Sequence, residues 1–211
     1  MTAPRSRRKR PAAPVRRRAT RARASNETTI RLALDLDGTG RADVKTGLPF
    51  FDHMLTAFAH HALFDLSVRA KGDLAVDAHH TVEDVGLVLG QALREALGTR
   101  RGVVRYGTFG LPMDEALALV SVDLSGRPYV VWETPRLAKW VGTFPAELAE
   151  DFWRAVAQEA RLTLHVRLLS GRNTHHMLEA IFKGCARALA QAVAVDPRRA
   201  ALVPSTKGKL D

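Results

Sequence analysis

The segment ETTIRLALDLDGTG, residues 27–40, has a counterpart in EALALVSVDLSGRP, residues 115–128. Laid over one another, Glu27 meets Glu115, Asp35 meets Asp123, Leu36 meets Leu124 and Gly38 meets Gly126. Each copy is rich in aliphatic or β-branched residues and ends at glycine, the pattern of a strand closed by a turn. Repetition of this kind dictates architecture before any single motif does.

A second pair follows in the same order. DAHHTVEDVGLVLGQAL at 77–93 matches NTHHMLEAIFKGCARAL at 173–189, and both place His-His-x-x-Glu at the head of a helical apolar pattern. Val82, Val85, Val88 and Leu93 carry it in the first copy; Leu178, Ile181, Phe182, Cys185 and Leu189 carry it in the second. These spacings are helical, with Asp77 and Asn173 or Thr174 as the expected N-caps. Between the landmarks, LPFFDHMLTAFAHHAL and PAELAEDFWRAVAQEA read as helices, and FDLSVRAKG and RLTLHVRLLSG as strands. Each half, about 25–104 and 105–200, therefore runs strand, strand, helix, strand, helix. Two such halves predict an α+β fold of duplicated half-domains, with mixed β-sheets packed on a helical layer.

Composition agrees with a globular chain: of 211 residues, 46% are hydrophobic and 26% charged, enough for a substantial core. No apolar run approaches the roughly 20 residues of a membrane span. The basic N-terminus lacks the apolar stretch of a secretory signal, so a cytoplasmic protein is expected. Cys185 is the single cysteine; it excludes an internal disulfide and reads as a small buried hydrophobe on a helix face. The net charge of +10 is local. Arg5, Arg7, Arg8, Lys9, Arg10, Arg16, Arg17, Arg18, Arg21 and Arg23 supply it, and no acidic residue precedes Glu27. Residues 1–24 therefore read as a disordered basic tail. A solvated extension is preferred to non-specific nucleic-acid binding, and no membrane or nucleic-acid partner is expected.

The histidines carry the chemistry. Six of the eight form adjacent pairs: His60–His61, His79–His80 and His175–His176. On a helix, His79 and Glu83 share a face, as do His175 and Glu179. The second histidine of each pair points about 100° away around the axis, so neighbouring imidazoles suit two ions and not a grip on one. His53, on the preceding helix, is the natural further ligand. Imidazole and carboxylate without thiolate fit Mn, Fe, Zn, Co or Ni. A basic set, Arg105, Arg127, Lys183, Ser205 and Lys207, has the residue types that hold a phosphate.

As an ordered set, these stretches resemble the imidazoleglycerol-phosphate dehydratase family. The matching motifs are NET ending at Thr28, FFDHML from Phe51, DAHHTVEDVG from Asp77, RYG from Arg105, PMDEALA from Pro112, VDLSGRP from Val122, TLHVRLLSGRNTHHMLEAIFK from Thr163 and PSTKG from Pro204. They cover about residues 25–209. The resemblance implies a carbon–oxygen lyase of histidine biosynthesis that converts imidazoleglycerol phosphate to imidazoleacetol phosphate. It implies a ribosomal protein S5 domain 2-like arrangement, two Mn²⁺ per active site, and trimers assembling into an octahedral shell of 24 subunits. Its metal ligands would be His53, His79, His80, Glu83, His175, His176 and Glu179. Glu27 and Glu179 would be catalytic, with Glu27 moving a proton. Glu27, His53 and His61 would face the substrate, while Arg105, Arg127, Lys183, Ser205 and Lys207 would hold its phosphate, the last two from a C-terminal segment at 201–211. One departure stands out: in many members the helix equivalent to EDFW begins with Glu-His, which gives a ligand mirroring His53, and here that position is Asp151, a candidate carboxylate ligand.

Two rival classes use the same donors. A dinuclear metallohydrolase would release phosphate from simple esters, and a non-catalytic metal-assembled protein would hold saturated ions and transform nothing.

Overall fold

The computed structural model describes residues 16–200 and 202–210. Its first half comprises β1 (Arg18–Ala24), β2 (Thr28–Asp35), β3 (Ala42–Lys45), α1 (Pro49–Ala62), β4 (Asp65–Gly72) and α2 (His79–Leu97). The second repeats that order with β5 (Tyr106–Met113), β6 (Ala116–Asp123), β7 (Tyr129–Glu133), α3 (Leu148–Ala160), β10 (Thr163–Ser170) and α4 (Thr174–Val193). A two-stranded insertion, β8 (Trp140–Val141) and β9 (Phe144–Pro145), precedes α3. Each half forms one four-stranded mixed sheet, ordered β1-β2-β4-β3 and β5-β6-β10-β7, whose one parallel pair is β3 with β4 or β7 with β10.

Alternation along the strands explains the layers. Ile30, Leu32 and Leu34 of β2, and Ala116, Ala118, Val120 and Val122 of β6, are buried, while the intervening side chains face the other surface. The helices cover these apolar faces, α2 over β1 and β2, and α4 over β5 and β6. Helices then pair across the halves, α1 against α4 and α2 against α3. The seam holds Phe51, Phe144, Phe152, Trp153 and Phe182, all fully buried and in mutual ring contact. Cys185 is buried on α4, and burial pushes its thiol well up. Among the described residues, no helix is long and apolar enough to cross a membrane.

The duplication is deeper than the sequence reading held. Residues 18–24, expected in a disordered tail, form β1 and pair along their whole length with β2; residues 1–15 of that expected tail lie outside the described part. The two halves even share a closing bond: Leu36 N–H donates to the Arg17 carbonyl at 2.9 Å, and Leu124 N–H to the Arg105 carbonyl at 3.1 Å. The misreading has a physical cause. β1 is an edge strand that buries only Ala19, so it shows no apolar alternation, and charge on an edge is a protection against aggregation. Arginines beside and along it are paired: Arg17, just ahead of the strand, with Asp37 at 2.7 Å, and Arg23, within it, with the buried Asp84 of α2 at 2.9 Å.

Two expectations follow. Relative to a chain beginning at Arg16, one beginning at Ser25 loses β1 and should melt several degrees lower by calorimetry. Gly86 and Gly90 lie where α2 meets α3: a Cβ there would sit 2.7 Å from the Phe152 carbonyl oxygen and 2.6 Å from that of Val156. Gly→Ala in a helix ordinarily stabilises by about 1 kcal/mol. Here each substitution should instead destabilise by about 1–3 kcal/mol through overpacking, read by urea unfolding.

Candidate functional site

The start of α4 sets the first cluster. The Asn173 side chain accepts the His175 N–H at 2.9 Å, as an N-cap does. One turn on, Glu179 faces His175, with Oε2 3.1 Å from Nε2. Because α1 lies against α4, His53 arrives from the other half, its Nε2 3.4 Å from the same oxygen. Ligand atoms of His53, His175 and Glu179 all lie within 4.8 Å of one another, a spacing that one ion can bridge. The other carboxylate oxygen, Oε1, is 2.5 Å from Lys183 Nζ. Burial pushes the Glu179 carboxyl up, but Lys183 and His53 together hold it below its ordinary value.

A mirror-related cluster occupies the start of α2. Asp77 Oδ1 accepts the His79 N–H at 2.8 Å. His79 Nε2 is 3.5 Å from Glu83 Oε2, and its Nδ1 is 3.7 Å from Asp151 of α3. Asp151 thus faces His79 as His53 faces His175. The eight expected ligands are therefore not gathered in one place: among the described residues, no hydrogen bond or ion pair joins the two clusters. A cavity of about 640 Å³ opens beside His79, lined by Trp132, Trp140 and Glu147 among others.

The second histidine of each pair turns aside, as helix geometry requires. His80 Nδ1 lies 3.0 Å from Asp73 Oδ2, with Nε2 3.7 Å from Glu27. His176 Nδ1 lies 2.8 Å from Glu115 Oε2, with Nε2 3.7 Å from Asp114. These carboxylates raise both imidazoles above the ordinary histidine value. Glu115 in turn is held at about 2 by the His176 ring and the backbone N–H groups of Asn173 and Arg172. Asp73 and Glu115 were not foreseen as histidine partners. The superposition of Glu27 on Glu115 was the available signal for one of them.

The basic residues divide as well. Arg105, Arg127, Ser205 and Lys207 surround a cavity of about 390 Å³ with Thr206, Lys209 and Leu210. Arg105, in the left-handed region at φ 81°, is fixed by Asp123 at 2.7 Å and by the Pro204 carbonyl at 2.9 Å. Four cations and two hydroxyls around such a space suit a phosphate. Lys183, grouped with these by residue type, does not line this cavity and is paired with Glu179. His61 is near it; burial first, and then the Lys183 ammonium, hold its ring below the ordinary value.

The family model described as imidazoleglycerol-phosphate dehydratase matches residues 46–189. Imidazoleglycerol-phosphate dehydratase of Granulibacter bethesdensis is 57% identical over 194 residues, covering 92% of this chain and 99% of the relative. That of Symbiobacterium thermophilum is 58% identical over 189 residues, 90% of each chain. The crystal structure of the Staphylococcus aureus enzyme superposes with a TM-score of 0.78 at 42% identity, over 85% of this chain and 99% of the other. That of the Pyrococcus furiosus enzyme gives 0.78 at 38% identity, over 90% and 100%. Taken with its two-sheet duplicated fold, these matches show that the chain belongs to the imidazoleglycerol-phosphate dehydratase family of carbon–oxygen lyases.

Proposed function

We propose that this chain dehydrates imidazoleglycerol phosphate to imidazoleacetol phosphate in histidine biosynthesis, with two Mn²⁺ ions per active site. The observation that carries the reading is the convergence of His53 from α1 with His175 and Glu179 from α4 onto a space of ionic dimensions, echoed by His79, Glu83 and Asp151. Imidazole nitrogens and carboxylate oxygens without thiolate fit Mn²⁺. Three donors do not fill an octahedral sphere, and the eight expected ligands lie in separate groups within one chain. Both facts favour sites completed by neighbouring copies, in trimers assembled as a shell of 24 subunits. We place the enzyme in the cytoplasm, where its lone buried thiol, Cys185, stays reduced.

When bound, the cations supply Lewis acidity and a template for the substrate's imidazole ring. Arg105, Arg127, Ser205 and Lys207 hold the phosphate end and fix the carbon chain. Glu27, half-exposed beside His80, takes the proton from the carbon bearing the middle hydroxyl. The hydroxyl next to the ring leaves with its electron pair, so proton and hydroxide account for the water lost. The enol that remains tautomerises to the ketone. Glu179, steadied by Lys183 through Oε1, is the second carboxylate assigned to proton movement; His53 and His61 line the substrate side.

Glu27→Gln should retain bound Mn²⁺ and lower kcat by about 10²–10⁴-fold; loss of metal would show that Glu27 is a ligand. Arg127→Ala should raise KM for imidazoleglycerol phosphate about tenfold or more, since a charge-assisted contact contributes about 1.5–3 kcal/mol, with kcat reduced less. Formation of the ketone product by Mn-loaded enzyme tests the reaction itself. Inorganic phosphate released in its place would establish a hydrolase.

A further inference from the structure

The two halves treat their equivalent glutamates differently. Glu27 immediately precedes β2, and Glu115 immediately precedes β6. Glu115 is engaged: it accepts from His176 Nδ1 at 2.8 Å and from the backbone N–H groups of Arg172 and Asn173 at 3.1 and 2.7 Å. Glu27 is not bonded to His80 Nδ1. That position is taken by Asp73 at 3.0 Å, and Glu27 stands on the Nε2 side at 3.7 Å. The substitution is traceable in the sequence. The first residue after β4 is Asp73, and the first after β10 is Gly171, which has no side chain to offer.

A carboxylate at Nδ1 fixes a ring's tautomer and orientation, leaving Nε2 to meet an ion. We propose that Asp73 and Glu115 are positioning residues that hold His80 and His176 as Nδ1–H tautomers with Nε2 presented for a cation, and that Asp73 releases Glu27 from this task. The inference rests on the metal reading above, and it supplies a reason for the chemical role to fall on Glu27 and not on its repeat partner. The same pattern in both halves, built from residues of different origin, argues against a chance surface contact. A histidine merely solvated at a helix start has no need of a dedicated acceptor.

The test begins with the metal-free full chain, at a pH where the rings are neutral. Heteronuclear histidine ring spectra should show His80 and His176 as Nδ1–H tautomers. Asp73→Ala should shift His80 toward Nε2–H and raise the Mn²⁺ Kd about 10–100-fold by calorimetry. Asp73→Asn, whose side-chain carbonyl still accepts the hydrogen bond, should restore the tautomer and most of the affinity. Glu115→Ala should shift His176; because it also frees two loop N–H groups, its fold is checked by circular dichroism, and the Asp73 series decides alone if it unfolds. Glu27→Gln should leave the His80 tautomer and the Kd unchanged. An Nε2–H tautomer at His80 in the unaltered protein overturns the proposal, as does an Asp73→Ala protein with tautomer and Kd unchanged, or a His80 shift on Glu27→Gln. Failure of the unaltered protein to bind Mn²⁺ at all, with the tautomers as expected, would instead overturn the metal reading.

Discussion

Two consecutive residues on a helix cannot face the same way. That constraint, about 100° of rotation per residue, splits the His-His pairs at the starts of α2 and α4 and organises everything else at the site. The first imidazole looks along its own helix to the glutamate one turn on, 3.1 Å away in α4 and 3.5 Å in α2. The second turns to a carboxylate brought by a loop. Within one chain, each helix start therefore presents two imidazoles in two directions. A pair of ions follows more naturally from this than a single ion held by both rings.

The fold serves this division by crossing its halves. Had α1 packed on α2, His53 would have met His79, its neighbour in sequence. Instead α1 lies along α4, and α3 along α2, so each cluster draws on both copies of the repeat. The seam is intimate because Gly86 and Gly90 let the α3 backbone approach α2, and because Phe152 and Trp153 fill it with rings. Duplication explains the matched geometry. Divergence between the copies, His53 against Asp151 and Asp73 against Gly171, explains why the two clusters are not interchangeable.

Much of this was legible in the residues. The repeat showed the two-halved α+β architecture, and the His-x-x-x-Glu spacing showed which imidazoles would share a face with a carboxylate. Asn173 caps α4 as its chemistry suggested, whereas Asp77 stands one residue before the N-cap of α2, Ala78, and still accepts the His79 N–H. What stayed hidden had physical reasons. β1 reads as tail in the sequence because an edge strand that buries one alanine carries no periodic signal; its pairing with β2, and of Arg21 and Arg23 with Glu95 and Asp84, depends on residues distant in the chain. The Lys183–Glu179 ion pair is one that the spacing permits without requiring, since a lysine four residues after a glutamate on a helix can pair with it or face elsewhere. The roles of Asp73 and Asp123 depend on loop and strand pairing that local spacing does not encode.

The proposed chemistry depends on divalent cations seated at two helix starts. Crystals grown with Mn²⁺ and measured at the manganese absorption edge test it most directly. The account predicts anomalous peaks within bonding distance of an imidazole nitrogen of His175 and of His79, with His80 and His176 reaching ions through Nε2. Peaks absent from these rings, or lying elsewhere on the surface, would contradict it.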